Sequence, residues 1–138
     1  MKKSELSYST DKNGLVTGVR YHDGKIIAYS FEEHLGSIQV RDVDGGLVQF
    51  ELRGLDVWTL EFWNWPIVND ISVWKIAEVT RELGEWKTLL GSRTKDIEAA
   101  AANLIQKMPD AFLFHVDCSY GGVLAAVCDH VSVYKILE

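Results

Sequence analysis

A stretch of nineteen residues, 58–76, contains four of the chain's five tryptophans and constrains the fold more than any other segment. Its first five residues alternate between large apolar and polar side chains, which is the period of a half-buried strand. The alternation breaks at Trp63-Asn64-Trp65-Pro66, and an apolar run then resumes from Ile67. Large aromatic side chains beside a turn form either the centre of a core or a recognition surface.

Strand parity divides these tryptophans into two groups. Trp58 lies on the apolar face of its strand and Trp74 lies in the later apolar run, so both are expected in the core. Trp63 and Trp65 have the opposite parity and stand beside Pro66, which cannot donate to a β-ladder. If this pair is buried, it packs between the sheet and a helix. If it is exposed, it suits a protein interface or a sugar ring.

Short apolar segments separated by turn residues predict an antiparallel β-meander in the first half of the chain. The strongest turn signal is Asp44-Gly45-Gly46, because glycine accepts a positive φ without strain. The strand after this turn alternates, with Val48, Phe50 and Leu52 on one face. The predicted strands are residues 15–21, 25–31, 37–43, 47–52 and 55–62, with 67–76 as a possible sixth strand.

Two helices are predicted after these strands. Residues 78–90 place apolar side chains at helical spacing, although Gly84 within them favours a break or a partly extended segment. Residues 95–108 form the clearer helix, with Thr94 as its cap and Pro109 directly after it. This helix has one apolar stripe, which we expect to pack on the face of the five-stranded sheet.

The C-terminal part of the chain returns to β-structure. Residues 111–119 and 123–136 are predicted strands on either side of a Tyr120-Gly121-Gly122 turn, the second as one long or two short strands. The order of elements predicts a single α+β domain over residues 14–138. Its parts are an antiparallel meander of five to six strands, one or two helices packed on one face, and a C-terminal β-hairpin. Residues 1–13 are polar and are expected to be a flexible lead-in.

The net charge limits the kinds of partner that the chain is expected to bind. Its formal net charge is −6 and its pI is near 5.2, which opposes nucleic-acid binding and favours a basic partner or simply solubility. The two N-terminal lysines precede no apolar segment of the kind found in a signal peptide, and no apolar run is long enough to cross a membrane. Two cysteines are too few for a disulfide scaffold. We therefore expect a cytoplasmic protein.

His115, Cys118, Cys128 and His130 are residue types that bind zinc. If Gly121-Gly122 is a two-residue turn, His115 lies opposite Cys128 and shares its face with His130, whereas Cys118 points to the other face. That register disfavours a metal site and also keeps the two cysteines apart. A one-residue change in the turn would reverse the parity.

The same register allows a cysteine hydrolase as an alternative, with Cys128 opposite His115 and Asp117 on the same face. No residue in this arrangement stands at a helix N-terminus or on a strained turn that would activate the thiol. The sequence contains no phosphate-binding loop and no dinucleotide fingerprint. We therefore predict a non-enzymatic protein without a cofactor or a metal.

Two segments carry a resemblance to a known family. GLDVWTLEFWNWPIVNDI (residues 54–71) and FLFHVDCSYGGVLAAVCDHVSVYKI (residues 112–136) resemble blocks of small bacterial proteins associated with polymorphic-toxin immunity. The early His22-Asp23-Gly24 turn also fits that family. The resemblance implies a small non-enzymatic inhibitor that binds a toxin domain, with no catalytic residue to assign.

An immunity-type inhibitor of a basic toxin domain is therefore the predicted function, with carboxylates that complement the partner and tryptophans that anchor it. A carbohydrate or small-ligand module that uses Trp63 and Trp65 is the first alternative, and the cysteine hydrolase is the second. A homodimer formed through a sheet edge is compatible with all three. The predicted partner-binding residues are Trp63, Asn64, Trp65, Asp70, Glu61, Asp44 and Asp42.

Overall fold

Two antiparallel sheets pack against each other, and two helices cover the outer face of one of them, so the predicted α+β class is confirmed. A computed structural model describes residues 2–62, 66–79 and 84–138. The elements are β1 (Lys2–Leu6), β2 (Ser9–Thr10), β3 (Val16–Thr17), β4 (Lys25–Glu32), β5 (His34–Arg41), β6 (Leu47–Leu55), β7 (Val57–Glu61), β8 (Val68–Lys75), a 3-10 turn (Ile76–Glu78), α1 (Gly84–Leu90), α2 (Ile97–Lys107), β9 (Phe112–Cys118), β10 (Val123–Cys128) and β11 (His130–Leu137).

The strands do not form the single meander that the sequence predicts. The larger sheet has the order β1-β11-β6-β5-β4 and the smaller one β7-β10-β9-β8, while β2 and β3 form a short pair of their own. The chain crosses between the two sheets twice, from β6 to β7 just after Gly54 and from β10 to β11 at Asp129, and the two crossings lie side by side. Gly54 has φ +65°, and the Asp129 carboxylate occupies the space that a side chain at Gly54 would need. The Asp129 N–H also donates to Arg53 O at 2.9 Å, which holds the two crossings together.

The layer between the sheets contains the larger part of the core. The ring centroids of Phe50 from the larger sheet and Phe114 from the smaller one lie 5.7 Å apart. Trp58 packs against this layer, as its parity predicts, and its ring stacks on Phe31 at 6.0 Å. Burial of such aromatic side chains is a large favourable term in the stability of a domain of this size.

Both helices pack on the smaller sheet, so the prediction that the second helix packs on the five-stranded sheet is wrong. Trp86 and Leu89 of α1 are fully buried against the side of the smaller sheet that carries Leu113 and Val127. The outer face of the larger sheet carries instead Gln39, Gln49 and Glu51, which bond to one another or to neighbouring charged residues. A helix would bury little apolar area on this polar face, which explains why both helices pack on the smaller sheet.

Residues 2–6 form a strand, whereas their polar composition predicts part of a flexible lead-in over residues 1–13. β1 pairs with β11 along its whole length, from Lys2 opposite Leu137 to Leu6 opposite Val133. Lys3 also pairs with Glu51, whose side chain is almost completely buried. An edge strand gains its stability from the ladder and needs no apolar alternation, so the composition of this segment carries no strand signal.

Several predicted boundaries change for local reasons. The strand predicted at residues 15–21 shrinks to β3, which ends before Gly18 at φ +85°. Of the helix predicted at residues 78–90, the described residues show Gly84–Leu90 as α1, and Gly84 is itself helical. Residues 80–83 lie outside the described part of the chain. The sixth strand predicted at residues 67–76 is present as β8.

The cap of α2 is Asp96, whereas the sequence suggests Thr94. The Asp96 carboxylate accepts the N–H of Ala99 at 3.1 Å, and Thr94 Oγ1 accepts the N–H of Asp96 at the same distance. Asp96→Ala is expected to lower the free energy of unfolding by about 1 kcal/mol. Thr94→Ala should cost less, since it leaves the helical N–H groups bonded. Urea denaturation of both variants measures this, and an equal or larger loss for Thr94→Ala would contradict the assignment.

Candidate functional site

Three carboxylates lie in one row across the smaller sheet, beside the β9–β10 hairpin. Glu61 of β7 is opposite Val123 of β10, Val123 is opposite Asp117 of β9, and Asp117 is opposite Asp70 of β8. Directly opposed residues share a face, and adjacent strands are about 4.8 Å apart. We call Glu61, Asp117 and Asp70 the acidic row. The structure therefore brings together two of the predicted partner-binding residues, Glu61 and Asp70.

Helix α1 passes beside the row without covering it. The next row of the sheet contains Thr59 and His115, and the Thr59 hydroxyl donates to Leu89 O at the end of α1 at 2.9 Å. Glu85, near the start of α1, acts electrostatically on His115. The helix thus crosses the sheet along this second row, and the acidic row lies beyond it with Glu61 exposed at one end.

Asn69 links two carboxylates of the row. Its Nδ2 donates to Asp70 Oδ2 at 3.3 Å and to Asp117 Oδ2 at 3.2 Å. Two like charges opposite each other in a sheet repel, and a shared amide donor lowers that cost while fixing both side chains. Among the described residues, no lysine or arginine forms an ion pair with the row. The row is therefore a negatively charged surface, and no described lysine or arginine neutralises it.

His115 lies half-buried directly behind the row, opposite Ser72 and Ala125. Burial lowers its pKa below the ordinary value, while the negative charges of Glu85 and Asp117 act in the opposite direction. The imidazole is consequently neutral near pH 7 and adds no positive charge to the acidic surface.

His115 makes stability depend on pH. Its folded pKa is depressed, so the unfolded chain binds the proton first as the pH falls through about 6.5. The free energy of unfolding should therefore be highest above pH 7, where His115 is neutral in both states. It should fall as the pH drops from 7 towards the lower pKa that His115 has in the folded protein. His115→Gln should reduce this decline in urea denaturation performed from pH 7.5 to pH 5. His34→Gln, at an exposed position, serves as the control. Equal slopes for wild type and His115→Gln would contradict the assignment.

The other two predicted carboxylates belong to the turn between β5 and β6 in the larger sheet. Asp42 Oδ1 accepts the N–H groups of Asp44 at 2.6 Å and Gly46 at 3.2 Å, and the Asp44 carboxylate pairs with Arg20. Asp42 thus stabilises the turn and Asp44 is paired with a cation, and both lie on the larger sheet, away from the acidic row. Trp63, Asn64 and Trp65, the remaining predicted contacts, lie outside the described residues.

The β9–β10 hairpin differs from the predicted register. Its loop has three residues, 119–121, because Cys118 N–H donates to Gly122 O at 3.2 Å and Gly121 takes φ +89°. This change reverses the parity. Cys118 and Cys128 both point into the core between the sheets, whereas His115 points to the outer face. The predicted grouping of His115 with Cys128 is therefore wrong.

The four candidate zinc ligands are dispersed. The two cysteines stand six residues apart along the hairpin, which corresponds to about 20 Å. His130 belongs to β11 in the other sheet, opposite Arg53. Within residues 2–62, 66–79 and 84–138, no group of three or more His, Cys, Asp or Glu side chains is arranged to hold a metal ion.

The predicted hydrolase arrangement of Cys128, His115 and Asp117 is also wrong, because the thiol and the other two side chains lie on opposite faces of the sheet. Burial raises the pKa of Cys128 to about 12 and that of Cys118 to about 11. A thiol acts as a nucleophile in its ionised form, which these environments disfavour.

Comparisons with family models, with curated proteins and with solved structures returned no match. In the described part of the chain, no helix combines the length and apolar character needed to cross a membrane. Asp117 is not among the residues that the sequence assigns to the partner-binding surface. A three-residue loop in the predicted hairpin would have placed Asp117 opposite Val123, because that loop fixes the register of β9 relative to β10. The pairing of β7 with β10, which brings Glu61 into the same row, has no signal in the sequence.

Proposed function

We propose that this chain is a non-enzymatic, immunity-type inhibitor that binds and neutralises a basic partner protein. The observation that carries the proposal is the acidic row, in which Asn69 orients Asp70 and Asp117 and no carboxylate has an ion-pair partner among the described residues. Such a surface complements clustered lysine and arginine side chains, and the net charge of −6 accelerates their encounter.

The row would act by occupying the cationic groups with which the partner binds its own substrate. A toxin domain that acts on nucleic acid needs such groups to hold phosphates. Three carboxylates spread across three strands can engage several of these groups at once and exclude the substrate. Trp63 and Trp65 stand between Glu61 and Asp70 in the sequence, and we propose that they are the apolar anchors of the same interface.

The proposal is tested with the protein encoded beside the gene of this chain. Co-expression should relieve its toxicity to the host cell, and isothermal titration should give a nanomolar dissociation constant that weakens as salt is raised. A neighbouring product that is toxic but neither binds this chain nor is relieved by it would contradict the proposal. A genomic neighbourhood without a toxic product would also contradict it.

A further inference from the structure

Strand β1 is an open edge of the larger sheet. It pairs with β11 on one side, and no strand in the described part of the chain pairs with it on the other. The other three sheet edges are each partly occupied. Pro66 O accepts an N–H of β4 at 3.0 Å, the Arg93 side chain donates to a carbonyl of β7, and Gly14 O accepts an N–H of β8 at 2.8 Å. β1 is therefore the edge that leaves main-chain groups open to another chain.

The hydrogen-bond pattern shows which main-chain groups of β1 point outward. Asp42 N–H donates to Gly46 O at 2.8 Å, so these two residues form a hydrogen-bonded pair at the start of the β5–β6 ladder. Bonded pairs alternate along an antiparallel ladder, and the registers of β6 with β11 and of β11 with β1 carry this alternation to the edge. It directs the N–H and C=O groups of Lys3 and Glu5 outward, and those of the other three residues of β1 toward β11.

The side chains of Lys3 and Glu5 lie on the outer face of the larger sheet and carry opposite charges. Lys3 Nζ pairs with Glu51 Oε2 at 2.5 Å and lies 4.4 Å from the centre of the Tyr134 ring. Glu5 is exposed and forms no ion pair within the described residues. A held cation and an unpaired carboxylate therefore stand two positions apart on the open edge.

This charge pattern makes the edge complementary to itself. When two copies of β1 lie antiparallel about a twofold axis through Ser4, Lys3 of each copy is opposite Glu5 of the other. Each of these residues offers one outward N–H and one outward C=O, so the register satisfies all of them and also forms two Lys–Glu pairs.

Other registers of the same pairing are disfavoured by charge. A shift of one copy by two residues places Lys3 opposite Lys3 or Glu5 opposite Glu5, and like charges opposite each other destabilise a sheet. A shift by one residue would place the inner face of one strand beside the outer face of the other. We infer that two copies of this chain associate through β1, in the register centred on Ser4.

The dimer joins the two larger sheets into one continuous sheet and leaves the acidic row open. The row lies on the smaller sheet, so each copy keeps its proposed partner surface. A single strand pair is a small contact of the kind found in transient complexes, and we expect a dissociation constant of about 100 µM.

The variant Ser4→Cys tests the register. In the inferred dimer the two Cα atoms at position 4 form a non-bonded pair about 4.5 Å apart, a distance that a disulfide spans. Under mild oxidation this variant should cross-link at least about tenfold faster than Lys2→Cys, whose side chain lies on the same face but opposite Leu6 of the other copy. The native Cys118 and Cys128 are buried and do not compete. Non-reducing electrophoresis measures both rates, and equal rates would overturn the inference.

Sedimentation velocity of the full chain tests the association itself. Wild type should shift from monomer to dimer between about 10 µM and 1 mM. Glu5→Lys should weaken the dimer at least about tenfold, because it sets two lysines opposite each other at both ends of the strand pair. Glu32→Lys makes the same change in charge at an exposed carboxylate of β4, at the other edge of the sheet, and should dimerise like the wild type.

Three outcomes of the sedimentation experiment would overturn the inference. One is a wild type that remains monomeric throughout the range, and another is equal weakening by Glu5→Lys and Glu32→Lys. The third is a dimer that only Glu32→Lys weakens, which would move the contact to β4. The cross-linking of Ser4→Cys keeps both charges of β1, so it tests the same contact even where Glu5→Lys disturbs the pairing of β1 with β11.

Discussion

Neutralising the acidic row by Glu61→Gln, Asp70→Asn and Asp117→Asn is expected to raise the dissociation constant for the basic partner about 100-fold. Each carboxylate is expected to contribute on the order of 1 kcal/mol at a partly solvated interface, and three together give about that factor. The substitutions keep the shape of the side chains, and none of these carboxylates forms an ion pair within the described chain. Titration calorimetry with purified partner measures the change.

The control for this experiment is a second triple variant with the same change in charge. Glu5→Gln, Glu32→Gln and Asp110→Asn alter three exposed carboxylates away from the row and likewise shift the net charge from −6 to −3. This variant should bind almost as tightly as the wild type. Equal weakening by both triple variants would show that overall charge, and not the row, governs binding, which would contradict the proposed site.

Trp86→Ala is expected to lower the free energy of unfolding by about 3–5 kcal/mol. Trp86 is fully buried between α1 and the smaller sheet, where its ring packs with Leu89, Leu113 and Val127. Removal of the ring leaves a cavity between α1 and the smaller sheet, which can close only if the helix moves. Equilibrium denaturation in urea, followed by far-UV circular dichroism, measures the loss.

Trp86→Phe is the matched variant for that measurement. The indole N–H of Trp86 is buried without an acceptor among the described residues, so phenylalanine removes no hydrogen bond in that part of the chain. The expected cost is about 1–2 kcal/mol, from the smaller ring alone. A cost for Trp86→Ala below about 1 kcal/mol would show that α1 does not depend on this side chain.

Local patterns in the sequence identify most of the strands but not the sheet to which each belongs. The alternation of Val48, Phe50 and Leu52 correctly predicts the buried face of β6, and the apolar stripe correctly predicts α2. The division into two sheets depends on the crossings at Gly54 and Asp129, which are distant in sequence and adjacent in space. No periodicity within one segment carries that information.

The candidate site shows how much can depend on the length of one loop. The proximity of Glu61 and Asp70 to the tryptophans predicts them as contacts, and the structure places them in one row. Their link through Asp117 and Asn69 follows from a three-residue loop at residues 119–121, whereas a two-residue turn reverses every side chain on one strand. The edge strand β1 could not be predicted because its side chains are mostly exposed on both faces.

Zero-length carbodiimide cross-linking of the complex, read by mass spectrometry, tests the central claim most directly, because it joins only those carboxylates that touch lysines of the partner. We predict cross-links from Glu61, Asp70 and Asp117. Cross-links confined to carboxylates such as Glu5, Glu32 and Asp110, with the acidic row unmodified, would contradict the proposed interface.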